Sequence, residues 1–538
     1  MNSVELKDVS SGQLLKRGSA AGDTSSHNSS NDAPYREARK SDVHRGIFSV
    51  SSCDYDSWGS VHKINKNQPA SASVEAKRWL LAVVIGLATG LTSFIISFST
   101  QGLLGAKLAI LSDLVEQEKL HGLPSGLALL FLLLANVIAA YVAWFLVFIE
   151  PTARGSGTLH SLIVFFFWSL YTYSKRCGVV WCWSIVGITD VKCYLNGLRI
   201  QSAISLRTYG FRVIGVVFSV ASGLPIGTEG SMVHAGAALA AAISRGRCDC
   251  GCQDLVNYYW VCCFGRGQSG AVGVGTTPRC CPHWRIQEFC NDAELRGFVV
   301  CGAAAGLAAA LGSPVGGLLF VLPDSHNFWS TRLSARCLLC AVNSVLIVTF
   351  LNSSGAMISE NRLMFFDRGG GGTDTVLAFS LWEVLLAAAL GAVGGAVGSL
   401  YVWCSGLVAA LRDQIPATAT DPRSLIEVLL LAALVSLLTF ALPVAVGSCI
   451  DRPVETGALM SFYCKDTQYN DLASLFLVDS RVALGQLAYG ADENFSSGSL
   501  LAFFFVYATV ACAVSGSPIA GGQFVPSLLS GGKPRPCV

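Results

Sequence analysis

SVASGLPIGTEGSMVHAGAALAAA, residues 219–242, places a single carboxylate, Glu229, inside a segment that is otherwise too apolar for water. An ionisable group at membrane depth is costly, and it marks a functional site when something nearby offsets its desolvation. The neighbouring residues offer that offset. Gly227 and Gly230 let the backbone turn closely around Glu229, and the small-residue run Gly236–Ala242 reads as a helix starting just after it. The free N–H groups and positive dipole end of such a helix face an anion, and a carboxylate placed there is a tethered one. Spacing alone leaves two roles open for Glu229. It is either an acid complementing a helix dipole at the surface or a gate competing with a mobile anion.

Outward from that stretch, composition settles the class. With 538 residues, 52% hydrophobic and only 13% charged, and a mean hydropathy of +0.52, the chain reads as a polytopic membrane protein. A net charge of +2 argues against nucleic acid as a partner. Residues 1–75 are polar and hold no apolar run long enough for a signal peptide or a span, so they read as a disordered tail. Arg36, Arg39, Lys40, Arg45, Lys63 and Lys66, followed by Lys77 and Arg78, put that tail on the cytoplasmic side. Trp79–Thr100 and Leu127–Ile149 are each long enough to cross a hydrocarbon core of about 30 Å. Later apolar runs are interrupted by Gly and Pro, as expected of tilted and half-crossing helices whose irregular backbone lines a cavity. Gly391–Gly398 reads as helix-packing sequence, and His234 as a residue that caps or packs its helix. The 20 cysteines, many in or beside apolar runs, support no redox inference.

Residues 220–236, VASGLPIGTEGSMVHAG, resemble the G-K-E-G-P segment of the CLC chloride channels and proton-coupled anion exchangers. Residues 302–322, GAAAGLAAALGSPVGGLLFVL, resemble that family's long Ala/Gly-rich helix, and Gly522-Gln523-Phe524-Val525-Pro526 its G-x-F-x-P motif. Gly155-Ser156-Gly157 resembles the start of G-S-G-I-P, and residues 191–197, VKCYLNG, resemble the family segment just after that motif. These segments stand in family order. FYCKDTQYNDLASLFL, residues 462–477, and Phe328-Trp329 are similar to the intracellular-organelle and plant branch.

The resemblance implies an all-α, inverted-repeat membrane domain over residues 76–532 with broken and re-entrant helices. It further implies a homodimer with a pore in each subunit, and chloride and protons as the transported species. No enzymatic step, cofactor or metal is implied. The compartment is a vacuolar, endolysosomal or other intracellular membrane, with the plasma membrane as the alternative. An anion crossing a bilayer needs its hydration replaced by donors, yet a full positive charge would hold it too tightly. Backbone N–H groups at Gly155, Ser156, Gly157, Gly227, Gly230, Gly522, Phe524 and Val525, with the Ser156 hydroxyl, are the implied chloride contacts. A serine at that position goes with chloride in the family, and a proline with nitrate. Ser156 as a plain N-cap is the alternative.

Several positions depart from the pattern. Thr228 replaces the lysine before the gate and Ser231 the proline after it, which removes local positive potential and helix-start rigidity. Thr189-Asp190 replaces Pro-Glu, and Pro323-Asp324 replaces paired glutamates. Asp324 keeps an acid where the exchangers hold their internal proton-transfer glutamate, which favours exchange over a channel. Two further alternatives are an inactive fragment and an intramembrane serine hydrolase using Ser156 with His160 or His234.

Joining Gly157 to Ile188 would restore GSGITDVKCYLNG, so Thr158–Gly187 reads as an insertion. Cys248–His283, with CDCGC, Cys262-Cys263 and Cys280-Cys281, reads as a second. Each is an extra helix with a metal-binding loop, a divergent loop, or translated non-coding sequence; spacing typical of zinc ligands is missing. Residues 533–538, KPRPCV, read as an atypical tail, so the domain is expected to be C-terminally incomplete and without CBS domains.

Overall fold

The computed structural model describes residues 50–52, 72–121, 126–155, 189–200, 203–245, 292–352, 381–413, 422–452, 459–465, 467–489 and 495–530. Residues 1–49, both expected insertions and Lys533–Val538 lie outside the described residues. Within the stretch read as a disordered tail, Val50–Ser52 (β1) forms a strand and the first helix, Ala72–His121 (α1), already begins.

α1 has 50 residues, where the apolar run suggested only Trp79–Thr100. At 1.5 Å per residue it is about 75 Å long, well over twice the bilayer core. The sequence Ser99-Thr100-Gln101-Gly102 looks like an end. It is not one: the helix runs on through it, with the Thr100 hydroxyl turned back on the Ile96 carbonyl at 2.7 Å. Leu127–Ile149 (α2) occupies the expected range. Along α1, Leu80, Val84, Leu87, Leu91, Ile95 and Phe98 are exposed at helical spacing, the pattern of a face that meets lipid.

Thr189–Leu195 (α3) leads into Leu198–Ile200 (β2), which pairs antiparallel with β1. Leu206–Ala221 (α4) is capped by the Ser205 hydroxyl, which accepts from the Thr208 N–H at 3.2 Å. Glu229–Arg245 (α5) and Asp292–Leu311 (α6) form the buried centre. A Cβ at Gly236 would stand 2.2 Å from the Gly302 carbonyl oxygen, and one at Gly302 2.2 Å from that of Gly236. Such backbone contact is what small residues permit between membrane helices. The apolar run through Leu322 breaks into α6 and Pro314–Ser325 (α7), because Gly312 takes φ +70° and Pro314 opens the next helix. Thr331–Asn352 (α8), Leu381–Asp413 (α9) and Pro422–Ala445 (α10) come next. On α9, a Cβ at Gly391, Gly394, Gly395 or Gly398 would meet nothing within 4 Å. The packing role expected for that run is therefore not met by the described residues, since no backbone faces it.

Cys449–Asp451 (β3) and Gln468–Asn470 (β4) pair antiparallel, and a Cys449–Cys464 disulfide closes the intervening loop. Asp471–Phe476 (α11), Ser480–Tyr489 (α12), Ser497–Val514 (α13) and Phe524–Ser530 (α14) complete the described chain. Among the described residues, 7 helices are long and apolar enough to cross a membrane.

Two clusters mark opposite faces. Glu75 pairs with Arg78 and Arg336, and Arg78 with Glu294, tying together the starts of α1, α6 and α8 beside the basic Lys77-Arg78 end. At the far end of α1, the Glu118 carboxylate accepts from the Ala128 N–H at 2.8 Å and from the Tyr463 hydroxyl at 2.6 Å. The disulfide joins Cys464, next to Tyr463, to Cys449 and so belongs to this second cluster.

Candidate functional site

Glu229 opens α5 and is 2% exposed. Its Oε1 accepts from the Thr228 hydroxyl at 3.2 Å, and the Arg481 Nε stands 3.7 Å away. Its Oε2 has no hydrogen-bond partner among the described residues and lies over Gly227, where a Cβ would be 2.3 Å from it. A side chain at 227 would therefore displace the carboxylate.

Gly227 and Gly522 join the two motif loops. The Gly227 N–H donates to the Gly522 carbonyl at 2.7 Å, and the Gly522 N–H to the Gly227 carbonyl at 2.9 Å. A Cβ at Gly522 would be 3.0 Å from the Gly230 nitrogen. Gly155 docks on the same loop, with its N–H 2.9 Å from the Ile519 carbonyl and its Cα face against the Gly521 carbonyl. Arg212, 1% exposed, donates to the carbonyls of Ala153 and Arg154 and so positions that segment. Gly155, Ile226, Gly521 and Gly522 line a cavity of about 20 Å³. A site of that size holds one water-sized occupant.

The structure thus brings together Gly155, Gly227, Glu229, Gly230 and Gly522, with buried Val525 facing Gly227 and partly buried Phe524 opening α14. Ser156, Gly157 and His160 lie outside the described residues. Asp324 stands apart. It pairs with Lys192 of α3 at 3.1 Å, and among the described residues no hydrogen bond or ion pair joins it to Glu229. It comes shortly before α8, whose Arg336 binds Glu75, so the connectivity puts it towards the basic face. His234 is fully buried, 3.9 Å from the Asp190 carboxylate, which agrees with a packing role. No cluster suited to a metal occurs among the described residues.

Sequence reasoning missed Arg481 and Lys192. Lys192 sat within the motif already quoted, and an opposite charge on Asp324 could have suggested it. Arg481 has no spacing relation to Glu229, and only its charge among apolar neighbours could have drawn notice.

The voltage gated chloride channel family matches residues 162–533. H(+)/Cl(-) exchange transporter 7 of Mus musculus is 29% identical over 476 residues, covering 86% of this chain and 51% of the relative. Chloride channel protein CLC-c of Arabidopsis thaliana is 30% identical over 473 residues, covering 84% and 52%. The chain spans about half the length of the curated relatives it matches. The crystal structure of a eukaryotic CLC transporter superposes with a TM-score of 0.50 at 17% identity, covering 85% of this chain and 58% of that one. That of a slow cyanobacterial Cl-/H+ antiporter gives 0.51 at 16%, covering 84% and 76%. These two likenesses establish the all-α polytopic fold, and with the family match they lead to one conclusion: the chain belongs to the voltage gated chloride channel family, the CLC proteins.

Proposed function

We propose that the protein moves chloride across an intracellular membrane in exchange for protons, as a homodimer, with Glu229 as the gate common to both ions. The observation that carries this reading is the Glu229 carboxylate, nearly fully buried and lying over Gly227 where the Gly155, Gly227 and Gly522 loops meet. In the ionised form it competes with a chloride for the N–H donors at Gly230, Phe524 and Val525, whereas those of Gly155, Gly227 and Gly522, expected from the sequence to contribute, are spent on the carbonyls of Ile519, Gly522 and Gly227. Protonation removes the attraction, the side chain leaves, and chloride takes its place. Because the carboxyl gains a proton to leave and loses one to return, each cycle couples the two fluxes. Asp324 feeds protons from the cytoplasmic side. Membership of a family of channels and transporters sets aside the serine hydrolase.

One observation favours the alternative of a channel without proton coupling. Asp324 is paired with Lys192 at 3.1 Å, and among the described residues no hydrogen bond or ion pair links it to Glu229. Flux in proteoliposomes separates the two. Glu229→Gln is expected to abolish chloride-driven proton uptake while chloride still passes, and undiminished proton uptake in that variant would sink the exchange mechanism. A parent protein that passes chloride without protons would establish the channel.

A further inference from the structure

Glu229 has a cation beside it that does not come from its own segment. Arg481 lies near the start of α12, and its Nε approaches the Glu229 Oε1 to 3.7 Å. Its Nη2 donates to the Thr228 hydroxyl at 2.5 Å, and that hydroxyl donates in turn to the same Glu229 oxygen at 3.2 Å. Its Nη1 donates to the Ser97 hydroxyl of α1 at 3.2 Å. The guanidinium is therefore held from three sides, and one side chain reaches the carboxylate both directly and through a hydroxyl. A planar fork suits such a task better than an ammonium. The position before the gate, Thr228, carries no charge of its own.

We infer that Arg481 is a positioning residue for Glu229: its guanidinium holds the carboxylate over Gly227 and sets the pH at which Glu229 takes up a proton and leaves. The inference rests on the gate reading of Glu229. Two other groups face Glu229: the like-charged Asp479 just before α12, which acts on it electrostatically, and the neutral Tyr507 of α13. Asp479 opposes what Arg481 does, so Arg481 is one of several influences on the carboxylate, of which burial is the largest. An opposite charge at this separation shifts a carboxyl by about one pH unit or more.

The test is an infrared titration of the full-length protein in lipid, in which the Glu229 carboxyl band is the one missing from Glu229→Gln. Arg481→Gln is expected to raise the midpoint by about one pH unit, or about tenfold in proton affinity. Arg481→Lys should stay close to the parent. The double variant Arg481→Gln with Thr228→Lys should bring the midpoint back, because a lysine at 228 places an ammonium beside the same oxygen. An unmoved or lowered midpoint in Arg481→Gln overturns the inference. So does a double variant no closer to the parent; if Arg481→Gln fails to fold, Thr228→Val, which removes the hydroxyl that links Arg481 to the Glu229 oxygen, is expected to raise the midpoint, and an unmoved midpoint there overturns the inference equally. The titration does not depend on transport. Proton uptake retained in Glu229→Gln would remove the gate reading, whereas an unmoved titration with that uptake abolished would remove only the role of Arg481.

Discussion

Gly227 and Gly522 exchange two backbone hydrogen bonds, of 2.7 and 2.9 Å, and so tie the loop before Glu229 to the loop before α14. A methyl group at 227 would meet the Glu229 Oε2 at 2.3 Å, but Pro526 and Val525 only at 3.4 Å. The end of a flexible side chain gives way before the backbone does. Gly227→Ala should therefore fold and displace the carboxylate. Pushing it off its rotamer costs about 1 kcal/mol, so chloride-driven proton uptake is expected to fall by several-fold up to about tenfold. Uptake equal to the parent would show that the carboxylate does not work from its place over Gly227.

Asp324 and Lys192 are each partly exposed, at 20% and 28% of the side chain. A pair of that kind stabilises by at most about 1 kcal/mol. Lys192→Met should leave the melting temperature nearly unchanged while freeing the Asp324 carboxylate from its partner, with a change in the number of protons moved per chloride. Asp324→Asn should lower the number of protons moved per chloride. Coupling unchanged in both variants would remove Asp324 from the proton path while leaving Glu229 untouched.

How far the sequence discloses all this depends on whether the signal is local. α2 was legible from Leu127 to Ile149 because an unbroken apolar run has one solution in a bilayer. The Glu229 site was legible because a lone carboxylate among glycines and apolar residues has few explanations. The second half of α1 was not, since Gly102 and Gly105 suggest a break, yet they meet nothing and cost only helix propensity. Whether small residues pack depends on what stands opposite them, which separates Gly302 from Gly394. The Cys449–Cys464 pair and Arg481 depend on distances between remote segments, which spacing along the chain does not carry.

That contrast gives a paired test of stability. Gly302→Val would drive atoms into the backbone of α5, where even a Cβ meets the Gly236 carbonyl at 2.2 Å. Overpacking of this kind costs about 1–3 kcal/mol. Gly394→Val faces open space and should cost far less. Thermal unfolding in the same detergent compares the two, and equal losses would contradict the close packing of α5 on α6.

The Cys449–Cys464 disulfide spans 15 residues, and closing a loop of that length stabilises by about 3 kcal/mol. The enclosed segment is also anchored by Tyr463, whose phenol is pushed up by burial and by donating to the Glu118 carboxylate. Cys449→Ser with Cys464→Ser should lower the melting temperature, and Tyr463→Phe should lower it less. In sealed vesicles, a membrane-impermeant thiol reagent should label these cysteines after reduction only from the face opposite Lys77-Arg78. Labelling from the basic face would reverse the assigned orientation.

Thr158–Gly187, expected from the sequence to be an insertion, lies between two flanks with contacts of their own. On one side, the Gly155 N–H binds the Ile519 carbonyl at 2.9 Å, and the carbonyls of Ala153 and Arg154 accept from Arg212. On the other, α3 begins at Thr189, Asp190 lies 3.9 Å from buried His234, and Lys192 binds Asp324. Arg212 also attracts the Asp190 carboxylate, so both flanks converge on one buried cation. These contacts all join described residues. Excising Thr158–Gly187 joins Gly157 to Ile188, restores GSGITDVKCYLNG, and should leave the fold standing with an undiminished melting temperature. The shortened loop also carries Ser156 and Gly157 next to Gly155, so chloride flux should be kept or increased. A protein that aggregates on excision, or melts well below the parent, would show that Thr158–Gly187 is an integral part of the domain.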